Sequence, residues 1–404
     1  MSTWPGDFIW GTAASSTQCE GAAPASDWIH WERAGRAPAS GAGNGFARRY
    51  REDFALYAAA GLRHHRLSID WARIEPEPGR RDPGAIAHYR DVLAAAREAG
   101  LEPWVCLHHF TLPRWFAERG GFQSAANRVG PWRAHVEFVA ETFGEWVSGW
   151  KPVNEPVAYA AAGWLGSGFP PGVEDFAAFG LVLENILLAS FEAAARLRQT
   201  GSPVATILNL STIHCVGEGA DLIARIFDQA LWGSWLGVMR EGVLRSPGRD
   251  PVDCAALADA FDLVGFSYYS AIGVRADGTR PPYPEGAPVS PLGYGIWPRG
   301  LRLVLDRLNA ELPGHPLLIS EYGLGTEDDG ARCSYLAEGL RIVRDALGEG
   351  IPLRGFFHWT GVDNYEWLHG YDVSFGCIDV ERRPRGSYEF LASAIREGAP
   401  QELE

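Results

Sequence analysis

Trp150-Lys151-Pro152-Val153-Asn154-Glu155-Pro156 is an apolar run that ends on a carboxylate, and Pro316-Leu317-Leu318-Ile319-Ser320-Glu321-Tyr322-Gly323 repeats that plan further along the chain. Six more runs share the length and character of these two: Phe8–Ser15, His64–Ile69, Glu102–His109, Val204–Ser211, Leu263–Ser270 and Leu353–Gly361. Stretches of helical period separate them, at Ala47–Ala60, Pro83–Gly100, Ala134–Trp146, Phe176–Gln199, Arg299–Ala310 and Arg332–Gly348. Gly61, Gly100 and Gly201 read as helix stops, each followed shortly by a strand-like run. Strands without polar alternation, divided by helices, predict a parallel sheet covered on both faces. Eight such units predict one α/β domain, a single (β/α)8 TIM barrel over residues 1–404, with its active site at the C-terminal ends of the strands. The Gly35–Gly45 stretch, rich in small residues, reads as a loop within that alternation.

The ends of the runs are therefore where chemistry is expected. They carry Gln18, Arg66, His109, Asn154, Glu155, Tyr268, Tyr269, Glu321 and Trp359. Carboxylates are rarely placed in apolar surroundings without a partner or a task. The fourth and seventh runs lie on roughly opposite sides of an eight-stranded barrel, so Glu155 and Glu321 can face each other across its mouth. Cleavage of a glycosidic bond uses such a pair: an acid for the leaving oxygen and a second carboxylate opposite the oxocarbenium-like carbon. A retaining mechanism predicts a separation of about 5–5.5 Å. From spacing alone, two glutamates salt-bridged to barrel arginines fit equally well.

Composition narrows the classes. A formal net charge of −14 argues against nucleic acid or an anionic membrane surface as partner. No uninterrupted apolar run reaches the length of a membrane span, and MSTWPGDFIWGTAAS does not read as a secretory signal. The six cysteines are scattered without CxxC pairs, which predicts reduced thiols and a cytoplasmic location. Cys19 has no evident base beside it and reads as a buried thiol. The pairs His64-His65 and His108-His109 suggest metal at first sight, but adjacent strand residues point to opposite faces. No HExxH accompanies them, and Gly41, Gly43 and Gly45 complete no dinucleotide fingerprint, so neither metal nor cofactor is expected. The chain has 16 Trp against 2 Met. Aromatic faces stack on sugar rings, although core packing accounts for any one of them equally well.

Several blocks resemble glycoside hydrolase family 1. FIWGTAASSTQCEGA, with Gln18 and Glu20, resembles its opening signature. RLSIDWARIEPEPG with Arg66, VCLHHFTLP with His109, Asn-Glu-Pro at Glu155, DLVGFSYYS, Ser-Glu-Tyr-Gly at Glu321, and GFFHWTGVDNYEWLHGY followed by FGCIDV continue the resemblance in family order over nearly the whole chain. The resemblance implies a retaining β-glycosidase that works by double displacement, with Glu155 as general acid/base and Glu321 as nucleophile. It implies Arg66 and Tyr269 as supports that hold Glu321 ionised. Gln18, His109, Asn154, Glu366 and Trp367 would bind sugar hydroxyls, and Trp359 would form a stacking floor. The partner would be a small β-glycoside.

Departures from the family pattern are Ser267 for a common Asn, Phe110 for the Trp after His109, Tyr322 for the Asn after Glu321, and Ser190 for a frequent helix His. They bear on sugar binding and on the mobility of Glu321. Glu366 stands where phospho-sugar members place a hydroxyl residue, which predicts an unphosphorylated glucose-, galactose- or fucose-like glycone. Trp164, Phe169, Trp232, Trp235, Tyr283, Tyr294 and Trp297 are candidates to wall the entrance around an apolar aglycone, with core packing at least as good an account of each one singly. Two other functions fit the same scaffold: a transglycosylase with a non-water acceptor, and a catalytically silent sugar-binding barrel.

Overall fold

The computed structural model describes residues 4–166 and 168–398. Eight parallel strands form one sheet: β1 Ile9–Ala13, β2 His64–Ser68, β3 Glu102–His108, β4 Gly149–Val153, β5 Leu208–Asn209, β6 Val264–Tyr268, β7 Leu317–Tyr322 and β8 Leu353–His358. Their order is β4-β3-β2-β1-β8-β7-β6-β5. Parallel bridges from Trp150 to Val204 and from Asn154 to Ile207 return β5 to β4 and close the barrel.

The strands are apolar throughout because both faces are buried. Ala13, Trp104, Ala205, Leu318 and Phe357 fill the barrel axis, and a larger cluster including Val105, Phe266, Ile319 and Phe356 packs under the helices. Gly149 is fixed by this packing, since a Cβ there would lie 2.4 Å from the Trp104 ring. The outer helices include Phe46–Ala59, Pro83–Glu98, Arg133–Phe143, Phe176–Leu197, Arg299–Glu311, Asp329–Gly348 and Gly386–Glu397. Asp82, with Pro83 behind it, caps the second of these by accepting from the Ala85 N–H at 2.8 Å. The three glycine stops all adopt the left-handed conformation.

The fifth run departs from expectation. Val204–Ser211 yields only a two-residue strand, and Val204, Ala205 and Ile207 join the sheet by single bridges. The helices at Asp221–Asp228 and Ser234–Glu241, and the closing helix at Gly386–Glu397, lie outside the helical stretches read from the sequence. Helix Phe176–Leu197 is long and apolar enough to cross a membrane by length and composition. Most of it is buried against the barrel and its neighbours, the setting of a core helix.

Candidate active site

The strand ends place the sequence-predicted residues in one cluster at the barrel mouth. Glu321, near the end of β7, has both oxygens held: Arg66 from β2 pairs with Oε1, and the Tyr269 hydroxyl donates to Oε2 at 2.6 Å. Arg66 is completely buried and serves three neighbours. Besides Glu321, it donates to His109 Nδ1 at 3.0 Å, and its guanidinium carbon lies 5.3 Å from the Trp359 ring centroid. A guanidinium can only donate, so Nδ1 of His109 must accept. Burial first, then Arg66, lowers the His109 pKa well below the usual histidine value, so the ring is neutral. Its remaining proton therefore sits on Nε2, available to a hydroxyl oxygen. The imidazole plane lies within 12° of both the Trp359 and the Trp367 rings.

Glu155 follows β4 in a left-handed conformation, with φ 45°, and its amide donates to Ile207 O at 2.9 Å. Phe110 and Trp367 also have positive φ, so three of the four described non-glycine residues in this region of backbone space lie at the mouth. Such conformations cost about 1–3 kcal/mol each and concentrate where side chains must be aimed. Burial first, then the Glu321 carboxylate, pushes the Glu155 carboxyl up to about 8. The Ser267 hydroxyl lies near enough to oppose that rise, though it completes no hydrogen bond of normal geometry. Among the described residues Oε1 of Glu155 has no hydrogen-bond partner, and neither does the amide oxygen or nitrogen of buried Asn154. Unpaired buried polar atoms are costly unless a ligand's hydroxyls satisfy them.

Gln18 is buried and held by the Ser15 hydroxyl, which donates to its Oε1 at 2.7 Å. Its Nε2 donates to Glu366 Oε2 at 3.2 Å. Burial first, then Glu321, pushes the Glu366 carboxyl up to about 8 even though that residue keeps part of its surface open at the mouth. Trp367 packs among Trp28, Phe110 and Phe169. Phe110 thus serves the aromatic wall behind the site.

Other expectations are redrawn. Tyr322 turns outward from the barrel, stacks on Tyr268 and Tyr335, and donates to Tyr335 O at 2.9 Å, so it does not reach the sugar site. Trp164, Trp232 and Trp235 are almost wholly buried core residues, not walls of the entrance. Tyr283 stacks on His214 and packs against Trp297 in the segment after β6. Tyr294 does approach the site, where burial first, then Glu366 and Glu155, raises its phenol well above the usual value. Glu20 accepts from His88 and Tyr89, both at 2.9 Å. His64 receives the Trp104 indole N–H at 3.1 Å, whereas His65 packs among Phe54 and Tyr57, so the adjacent pair faces opposite ways. No cluster of metal-ligating residues occurs among the described residues. Burial pushes the Cys19 thiol up to about 12, which makes it inert.

The sequence reading missed Lys151, which donates to the Ser320 hydroxyl beside Glu321 and whose only signal in the sequence is its place in the fourth run. It also missed Trp28 on the short helix Asp27–Arg33, whose ring packs edge-on against Trp367; an aromatic side chain gives no signal in sequence of what it will touch.

The chain can be set beside known proteins on this geometry. The profile of glycosyl hydrolase family 1 matches residues 1–399. Thermostable beta-glucosidase B of Thermobispora bispora is 32% identical over 98% of this chain and 91% of its own length. The 6-phospho-beta-galactosidase of Streptococcus equi subsp. zooepidemicus is 27% identical over 94% of this chain and 95% of its own. Among solved structures, the beta-glycosidase from Pyrococcus horikoshii superposes with a TM-score of 0.91 at 28% identity, covering 100% of this chain and 97% of that one. The beta-glucosidase from Thermotoga maritima in complex with glucoimidazole has the same fold, with a TM-score of 0.90 at 24% identity over 98% and 99% of the two chains. The match along nearly the whole chain, together with the barrel, shows that this protein belongs to glycosyl hydrolase family 1.

Proposed function

We propose that this β-glycoside hydrolase uses Glu155 as general acid/base and Glu321 as nucleophile on an unphosphorylated, glucose-like β-glycoside, with galactose- and fucose-like glycones as further candidates. The observation that carries this reading is the contrast between the two carboxyls. Both oxygens of Glu321 are oriented by donors, while Glu155 keeps an oxygen free and holds its proton up to about 8. In the first step an oxygen of Glu321 attacks the anomeric carbon. The bond to the aglycone oxygen breaks, and the Glu155 proton moves to that oxygen. In the second step Glu155, now a carboxylate, takes a proton from water as the water oxygen attacks the same carbon and the ester to Glu321 breaks. Two inversions give net retention. Proton NMR of the first-formed anomer tests this: the β-anomer is expected, and initial release of the α-anomer would assign inversion instead.

Asn154, His109 and Gln18 supply hydrogen bonds to glycone hydroxyls in this reading, Trp359 supplies the floor, and Trp367 the flank. The unpaired amide of Asn154 and the donor left on His109 Nε2 support it. Glu366 sets the response to phosphate. Below about pH 8 it carries a proton, so exclusion of a 6-phosphate rests on shape and hydrogen bonding; above that pH charge repulsion is added. The preference for an unphosphorylated over a 6-phosphorylated aryl glycoside, as a ratio of kcat/KM, is therefore expected to rise through about pH 8. Glu366→Ser should flatten that rise and lower kcat/KM on the unphosphorylated sugar by about tenfold through a lost hydrogen bond. Unchanged preference in the variant would mean that Glu366 does not touch the glycone. The whole chain is read as one catalytic domain acting in the cytoplasm, a location supported by its cysteines, none of which is disulfide-bonded.

A further inference from the structure

Strands β4 and β7, which carry Glu155 and Glu321, are not neighbours in the sheet. One side chain joins them across the barrel. Lys151 on β4 is completely buried, and its Nζ donates to the Ser320 hydroxyl of β7 at 2.5 Å. On the way it passes over aromatic rings from two other strands, with Nζ 5.5 Å from the Trp104 centroid and 5.1 Å from that of Phe357.

Ser320 immediately precedes Glu321, and regular alternation would send the two to opposite faces. Both face the interior here. Leu318 packs in the barrel axis, Ile319 packs outside, Ser320 meets Lys151, Glu321 meets Arg66, and Tyr322 turns outward again. The strand accommodates two consecutive inward residues through a break in register. Its pairing with β6 slips between Ile319 and Glu321, and its pairing with β8 slips between Ile319 and Tyr322. Gly265 of β6 leaves room for this bulge, because a Cβ there would lie 2.5 Å from Ser320 Oγ. Bulges re-aim side chains and need something to hold them in place.

We propose that Lys151 is a positioning residue for the nucleophile, a cross-barrel strut that pins the Ser320–Glu321 bulge and so sets Glu321 relative to Glu155. The inference rests on the reading of Glu321 as nucleophile. Burial first, then Arg66, lowers the Lys151 ammonium well below its usual value, while Glu321 and Cys106 oppose this. Either protonation state keeps an N–H for Ser320, so the strut survives a change of charge.

Lys151→Met keeps the stem and removes the donor; Ser320→Ala removes the acceptor and leaves the lysine. Each would be assayed with an aryl β-glucoside and with a 2-deoxy-2-fluoroglucosyl fluoride, which accumulates as the covalent adduct and is located by peptide mass. The wild-type label is expected on Glu321. Both variants should form the adduct, and turn over, about 10–100-fold more slowly with KM within about threefold of wild type, the scale of a misplaced reacting group. The double variant should be no slower than Lys151→Met alone, as expected when both changes break one contact. Adduct formation at the wild-type rate in both folded single variants overturns the strut. So does a loss that follows only the fraction of folded protein measured by circular dichroism. A wild-type label on any residue other than Glu321 overturns the underlying reading and the strut with it.

Discussion

Glu321→Gly will form no covalent glycosyl-enzyme and will lose about 10⁴-fold or more in kcat, which is roughly 5 kcal/mol of transition-state stabilisation. The size of the effect follows from what the residue does. In the proposed mechanism Glu321 forms the bond to the anomeric carbon itself, whereas Glu155 only transfers protons. Its surroundings amplify the loss. Without its carboxylate, the buried Arg66 keeps a charge whose main partner is gone, and the Tyr269 hydroxyl loses its acceptor. The space left can admit a small anion beside Arg66. Azide added to the Glu321→Gly enzyme with an activated β-glycoside is expected to attack from that side and yield the α-glycosyl azide after one inversion. Chiral analysis of the product, or its anomeric coupling constant, reads the outcome directly.

Glu155→Ala should fail differently. Activated phenols need little protonation, so glycosylation by them should survive, while deglycosylation slows by about 10²–10⁴-fold for want of a base. Azide needs no base. It should speed this variant and give the β-glycosyl azide through two inversions. The pH profile gives a second readout. In the proposed mechanism the protonated form of Glu155 is the acid, so wild-type kcat/KM should fall as pH rises through about 8, the value set by burial and then by Glu321. In Glu155→Ala with a good leaving group that limb should vanish. An α-azide from Glu155→Ala with a β-azide from Glu321→Gly would reverse the two roles. Loss of less than about a hundredfold in both variants would move the catalytic centre elsewhere.

The barrel was legible because parallel strands buried on both faces leave long apolar runs, and seven of these matched a strand of ordinary length. The fifth did not, since Val204–Ser211 pairs on each side only in fragments, and pairing is a property of the neighbours. Glu155 and Glu321 were legible as carboxylates at strand ends, where a charge is costly to hold unless it is paired or reacts. The bulge at Ser320 was not, because the one-dimensional pattern Leu-Leu-Ile-Ser-Glu-Tyr contains no mark of a slipped register. Lys151 was hidden for the same reason. In the run Trp-Lys-Pro-Val it reads as an ordinary charged residue, and its partner lies on a strand far along the chain. For Trp232 and Trp235 the sequence left core packing and an entrance wall both open, because an aromatic side chain looks the same in sequence whether it meets a ligand or a helix; both took the core.

The short fifth strand makes the barrel a hoop with one weak stave. β7 is paired with strands on both sides, while Glu155 leans on Ile207 through one amide hydrogen bond in a stretch joined by isolated bridges. Heat opens the least-connected units of a structure first. On the proposed roles of the two glutamates, warming short of the global transition will therefore disturb proton handling before it disturbs bond formation: the protein will still take up a covalent label at Glu321 while it has ceased to release product, and cooling will restore it.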